Sequence, residues 1–225
     1  MRVALFGKKS EEIKSLVKSL GFEVVITYGG DGTLLSAEST FPSVPKLALR
    51  DNSICIKCAN HKDENVLKKL KENKLKLTEI NKLEASYKGK KILAINDFVI
   101  RNSLQMHAIR FKVNASNKLI IGDGIVVATS FGSSGYFKSI TRKTFTKGFG
   151  LAFNNTTGPI KPIYFSQGTI KITIVRGPAT LTFDNSPDTL ELTGGSKITF
   201  KPSDQKLRIY DSSLKCQNCK IKRDH

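Results

Sequence analysis

The chain has 225 residues, enough for one large domain or two small ones, and its 39% hydrophobic and 25% charged content is ordinary for a globular protein. No run approaches the ~20 apolar residues that cross a bilayer, and Met1 to Lys9 lacks the length and cleavage site of a secretory signal, which predicts a cytoplasmic protein with no membrane partner. Thirty-seven Lys and Arg against 19 Asp and Glu leave a net charge of +18.

Such a charge suits a polyanionic partner: nucleic acid, a membrane surface or a nucleotide rich in phosphate. The lysines are spread along the chain, however, and no RNA-binding aromatic signature accompanies them. A basic surface that partly serves a phosphate site is the favoured reading, and nucleic acid is disfavoured as a partner.

In chain order, residues 2–7 read as a buried strand. Lys8 to Leu20 read as an amphipathic helix with Ile13, Leu16, Val17 and Leu20 on one face, stopped by Gly21. Residues 22–27 form a second strand, and strand–helix–strand in this order predicts a parallel sheet with a right-handed crossover. Gly29-Gly30-Asp31-Gly32-Thr33 follows at once, then the apolar Leu34-Leu35. Glycines there let the backbone turn tightly and approach a ligand, and a helix start favours phosphate. A carboxylate inside the loop would repel phosphate unless it handles a metal ion or an attacking hydroxyl, so Asp31 points to phosphoryl transfer. The bland alternative is a tight turn in which Asp31 caps the next helix.

Residues 46–49 and 53–57 supply further strands, and 63–72 a lysine-rich helix with Val66, Leu67 and Leu70 inward. The four cysteines form two pairs, Cys55/Cys58 and Cys216/Cys219, each spaced so that both sulfurs reach one metal ion. Four such thiolates suit a structural zinc ion that would bring the C-terminal tail, 211–225, back to the N-terminal region. Two redox pairs, two disulfides and free thiols remain open alternatives.

From about residue 75 short strand-like runs recur: 75–80, 83–87, 91–101, 107–114, 124–129, 161–165, 169–175, 179–183, 189–192, 196–200 and 206–210. Turn residues separate them, as expected of a β-sandwich. The stretch 130–160 reads as a long functional loop or a short helix with loops. The fold expected is therefore α/β plus β: a small N-terminal parallel α/β (Rossmann-like) domain over 1–75, a C-terminal β-sandwich-like domain over 76–210, and the tail.

Two segments complete the pattern. Asn96-Asp97 lies inside the run 91–101, where neighbours face opposite ways unless a bulge intervenes. Gly122-Asp123-Gly124 leads through an apolar run to Thr129-Ser130-Phe131-Gly132-Ser133-Ser134-Gly135-Tyr136. With the Gly-Gly-Asp-Gly-Thr loop, these three motifs in this order resemble the NAD kinase family, over most of residues 1–210.

The resemblance implies a kinase that moves the terminal phosphate of ATP to the adenosine ribose 2′-hydroxyl of NAD, with Mg²⁺ accompanying ATP. Asp31 matches the catalytic acid, and Gly29, Gly30, Gly32 and Thr33 the phosphate loop. Asn96, Asp97, Asp123, Thr129, Ser134, Gly135, Tyr136 and Ser139 match NAD-binding positions, with Tyr136 offering a ring to the adenine. A homodimer or homotetramer is implied, in which neighbouring chains complete the site. Several positions depart from the family pattern: Asp97 for Glu, Ser130-Phe131 for Pro-Thr, Gly135 for Ala, Ser36 for Arg and Asp184-Asn185 for Asp-Gly. Two other readings compete, a lipid kinase sharing the glycine loop and a non-catalytic nucleotide-binding protein that kept the fold.

Overall fold

A computed structural model describes residues 3–8, 10–13, 23–49, 63–114, 116 and 118–210. The chain divides into two compact units, one formed by residues up to Glu79 with the chain from Leu207 onward, the other by Ile80–Lys206. Among the described residues no helix is long and apolar enough to cross a membrane.

In the first unit, strands β1 (Val3–Phe6), β2 (Val24–Tyr28) and β3 (Lys46–Leu49) lie parallel in the order β1-β2-β3. The last residues of β15 (Lys197–Tyr210) join beside β3, Ile209 opposite Lys46 and Tyr210 opposite Leu47, also parallel. Helix α1 (Asp31–Thr40) packs on β2 and β3. Helix α2 (Asp63–Lys71) buries Val66, Leu67 and Leu70 against Val24, Ile26, Leu47 and Leu49. Side chains alternate along a strand, so Val25 and Thr27, also buried, fill the opposite face of β2. A fully buried ion pair, Lys46 to Glu38, ties the start of β3 to α1, and the Lys46 ammonium also donates to the Phe41 carbonyl at the end of that helix.

The second unit holds two antiparallel sheets. One has the order β11-β10-β9-β6-β13-β14, from Ile163–Phe165, Phe149–Asn154, Gly124–Thr129, Asp97–Asn102, Ala179–Phe183 and Leu190–Leu192. In the other, β15 pairs with β12 (Ile170–Arg176), β12 with β7 (Ile109–Val113) and β7 with β8 (Ile120–Gly122); the hairpin β4 (Leu77–Tyr87) and β5 (Lys90–Ala94) adds through β4 to β15. One core takes side chains from both sheets. Phe98 meets Phe200 at 5.4 Å between ring centroids, and Phe111 stacks on Phe153 at 6.4 Å. A smaller cluster of Val126, Ala128, Phe137 and Ala152 places the short helix α3 (Tyr136–Thr141) on the outer face of β9 and β10.

Several elements differ from the sequence expectation. The run 91–101 is two strands, because the chain leaves one sheet after Ala94 and enters the other at Asp97. The runs 75–80 and 83–87 are one strand, as are 196–200 and 206–210, the latter continuing through Pro202. The stretch 130–160 holds a short helix, one of its two expected readings, but also β10, which was not expected and pairs fully with β9. The described start of the helix expected from Lys8 is a 3-10 turn, Ser10–Ile13, and residues 14–22 and 50–62 lie outside the described residues.

Candidate active site

The glycine loop sits where β2 ends and α1 begins. Gly29 has φ +151, and a Cβ there would lie 2.5 Å from the Thr33 hydroxyl, so only glycine fits this conformation. Its N–H donates to the Leu49 carbonyl at 3.0 Å, fixing the loop to the end of β3. Gly30 is the N-cap; it makes no side-chain cap, and its carbonyl accepts from Thr33 N–H at 3.0 Å. The capping role considered for Asp31 is thus not the one it plays. It is the exposed first residue of α1, where the positive end of the helix dipole favours a negative group. Gly7, which the sequence reading passed over, packs at the end of β1 against this loop, and a Cβ there would lie 3.3 Å from Thr33 Cγ2.

The second constellation forms at the corner between the two sheets of the other unit. At Ile95–Asn96 the backbone leaves both ladders, and its N–H groups need partners. One side chain supplies them. The Asp184 carboxylate accepts from Ile95 N–H at 2.9 Å, Asn96 N–H at 2.7 Å and Asp97 N–H at 3.3 Å, while Asp184 N–H donates to the Asp97 carbonyl at 3.0 Å. Thr129, at the end of β9, closes the other side: its N–H donates to the Asn96 carbonyl at 2.8 Å and its hydroxyl to the Ile95 carbonyl. The same hydroxyl accepts Gly132 N–H at 3.0 Å. A Cβ on Gly132 would sit 2.5 Å from the Asn96 carbonyl carbon, so this glycine lets two backbone segments touch.

This network presents a particular set of groups. The Asn96 carboxamide and the Asp97 carboxyl make no hydrogen bond to any described residue, although Asp97 is only 8% exposed. Burial, then the neighbouring charge of Asp184, pushes the Asp97 carboxyl up to about 7. Burial raises Asp184 as well, against the lowering pull of its three N–H donors and of Lys82. Tyr136 is half-buried against the outer cluster, and Ser134 and Gly135 are exposed at the same turn. Ser139 is exposed one turn into α3, its hydroxyl donating to the Gly135 carbonyl at 3.4 Å. Thr129 is buried and spent on its backbone partners, so it shapes the corner and has little left for a ligand.

Asp123 lies elsewhere. It precedes β9, its carbonyl accepts from Asn102 N–H at 2.9 Å, and its carboxylate accepts from Asn155 Nδ2 at 2.7 Å. Asn102 closes the strand that Asp97 opens, which separates the two by roughly 17 Å along β6. Cys55, Cys58, Cys216 and Cys219 lie outside the described residues, as does the tail 211–225. Among the described residues no three His, Cys, Asp or Glu side chains gather to hold a metal ion.

Comparison with known proteins decides the family. No protein-family model matches the chain. The NAD kinase of Sulfurisphaera tokodaii is 31% identical over 189 residues, 74% of this chain and 75% of that protein. This chain belongs to the NAD kinase family. The NAD kinase of Saccharolobus islandicus, 26% identical, covers 96% of the chain and 92% of its own length. Among solved structures, an Archaeoglobus fulgidus NAD kinase in complex with ATP superposes with a TM-score of 0.75 at 19% identity, over 95% of this chain and 94% of its own. A yeast NADH kinase complexed with NADH gives 0.72 at 18% identity, over 91% and 69%. These two establish the shared fold.

The groups that sequence reasoning missed are Asp184 as the partner of the corner, Gly132 as its point of contact and Gly7 beside the glycine loop. Asp184 carried a signal in the Asp-Asn standing where the family has Asp-Gly, and Gly132 in its place within the third motif, whereas Gly7 carried none.

Proposed function

We infer that this chain is an ATP-dependent NAD kinase, transferring the terminal phosphate of ATP to the adenosine ribose 2′-hydroxyl of NAD to give NADP. The observation that carries the reading is the 31% identity to an NAD kinase across three quarters of both chains. In this reading Asp31 is the catalytic carboxylate and general base: it orients the 2′-hydroxyl and takes its proton as the oxygen attacks phosphorus, while ADP leaves. Gly29, Gly30, Gly32 and Thr33 cradle the phosphates. Mg²⁺ enters as the ATP complex and neutralises the transferring group, which leaves positioning and electrostatics as the protein's contribution.

The adenosine half of NAD rests at the corner. Asn96 and Asp97 offer an amide and a carboxyl that no described protein group engages, Ser134 and Gly135 bound the base, and Tyr136 supplies an aromatic face worth roughly 1–3 kcal/mol of stacking. Ser139 and Thr129 flank that pocket, Thr129 through the backbone. Asp123, remote from Asp97 on its own chain, serves the nicotinamide half of a neighbour's site in a homodimer or homotetramer. A cytoplasmic location goes with this reading. A lipid kinase is not favoured, since the relatives named here are NAD kinases.

The test is product formation. Purified protein with ATP, Mg²⁺ and NAD should yield NADP, scored by an NADP-specific dehydrogenase. NADP absent with every phosphate donor tried would overturn the reading.

A further inference from the structure

We propose that Asp184 is a positioning residue for NAD binding, its carboxylate gathering the backbone of Ile95, Asn96 and Asp97 into the turn that presents Asn96 and Asp97 to the adenosine. The inference rests on the NAD-binding reading of those two residues and goes beyond it by naming what builds the site.

The Ile95–Asn96 corner belongs to neither sheet, so nothing regular fixes its dihedral angles. Three N–H groups converge on one carboxylate from 88 residues away in sequence, and a return bond from Asp184 N–H to the Asp97 carbonyl closes the ring. Asp184 itself holds φ +47, a left-handed conformation that Asp and Asn tolerate better than most side chains. The clamp reaches the second motif as well. Asn96, held by Asp184, accepts from Thr129 N–H, and Thr129 Oγ1 in turn receives Gly132 N–H at the start of the Gly132–Tyr136 turn. One carboxylate therefore sets the relative placement of the residues on both sides of the base.

Lys82, buried on β4, acts favourably on Asp184, and the like charge of Asp97 acts against it. A purely structural clamp and a positioning clamp make different predictions about substrates. Asp184→Asn keeps the size and the left-handed preference but must turn an amide N–H₂ toward one of the three N–H donors. The proposal expects the KM for NAD to rise at least 10-fold while the KM for ATP stays within about 2-fold. Asp184→Glu, which keeps both acceptor oxygens, should recover part of the loss.

Wild-type turnover separates the two levels. If wild type makes no NADP, both readings fall. If wild type is active and folded Asp184→Asn keeps its NAD KM, or loses NAD and ATP equally, the positioning role alone is overturned. Should Asp184→Asn not fold, amide exchange on wild type decides. Slow exchange at Ile95, Asn96 and Asp97, slowed further by NAD, supports the clamp; exchange as fast as in exposed loops, or unchanged by NAD, overturns it.

Discussion

At the scale of single residues, Asp97 stands out among the described residues as a buried carboxyl held well above its ordinary range. A carboxyl raised to about 7 from an ordinary 3.8 is half protonated at neutral pH, able to donate one hydrogen bond and accept others. Its folded-state value lies above its unfolded value, so below pH 3.8 both states are protonated and nothing is lost. As pH rises between 3.8 and about 7 the unfolded chain ionises first, and the native state loses stability; above about 7 the cost is complete. Asp97→Asn should therefore unfold at higher denaturant than wild type at pH 8, by up to about 4 kcal/mol, and by far less at pH 4. The same variant should bind NAD more weakly, an opposition of stability and function expected where a group is held for a ligand. Equal stability of variant and wild type at both pH values would contradict the burial and repulsion ascribed to Asp97.

At the scale of elements, what was legible in the sequence depended on how local the cause was. β1, β2, β3, the glycine loop and α2 announce themselves through apolar runs, a glycine cluster and inward Val66, Leu67 and Leu70. The motif residues of the site were legible by their order along the chain. The break at Ile95–Asn96 was not, because Asn96-Asp97 interrupts the apolar run by only two residues and the carboxylate that stabilises the corner comes at Asp184. β10 was hidden by its neighbours: Phe149 to Phe153 follow a stretch rich in Gly, Ser and Thr, and their small members, Gly150 and Ala152, are small because α3 covers that face. A Cβ on Gly150 would lie 2.8 Å from the rings of both Phe137 and Phe145. In the sequence β15 reads as two runs, 196–200 and 206–210, yet it is one strand that continues through Pro202.

At the scale of the whole molecule, two units with separate cores carry the two halves of the assigned chemistry: the glycine loop with Asp31 in one, the corner with Asn96, Asp97 and Tyr136 in the other. The proposed role of Asp123 in a neighbour's site belongs to this scale, since Asp123 lies at the end of β6 roughly 17 Å from Asp97. Mixed oligomers test this. Asp31→Asn and Asp123→Ala, each weak alone, should recover about a quarter of wild-type activity when unfolded and refolded together as random dimers, because half of the sites in each mixed dimer hold both acids. No recovery from a mixture shown to exchange subunits would contradict a role for Asp123 in a neighbour's site.

The most direct measurement is the turnover of Asp31→Asn. With ATP, Mg²⁺ and NAD, its kcat for NADP formation should fall about 100- to 10,000-fold below wild type, with the KM for NAD little changed, as for a residue that takes a proton in the transition state. A variant that makes NADP at the wild-type rate would contradict the assignment of this chain's chemistry to the carboxylate at the start of α1.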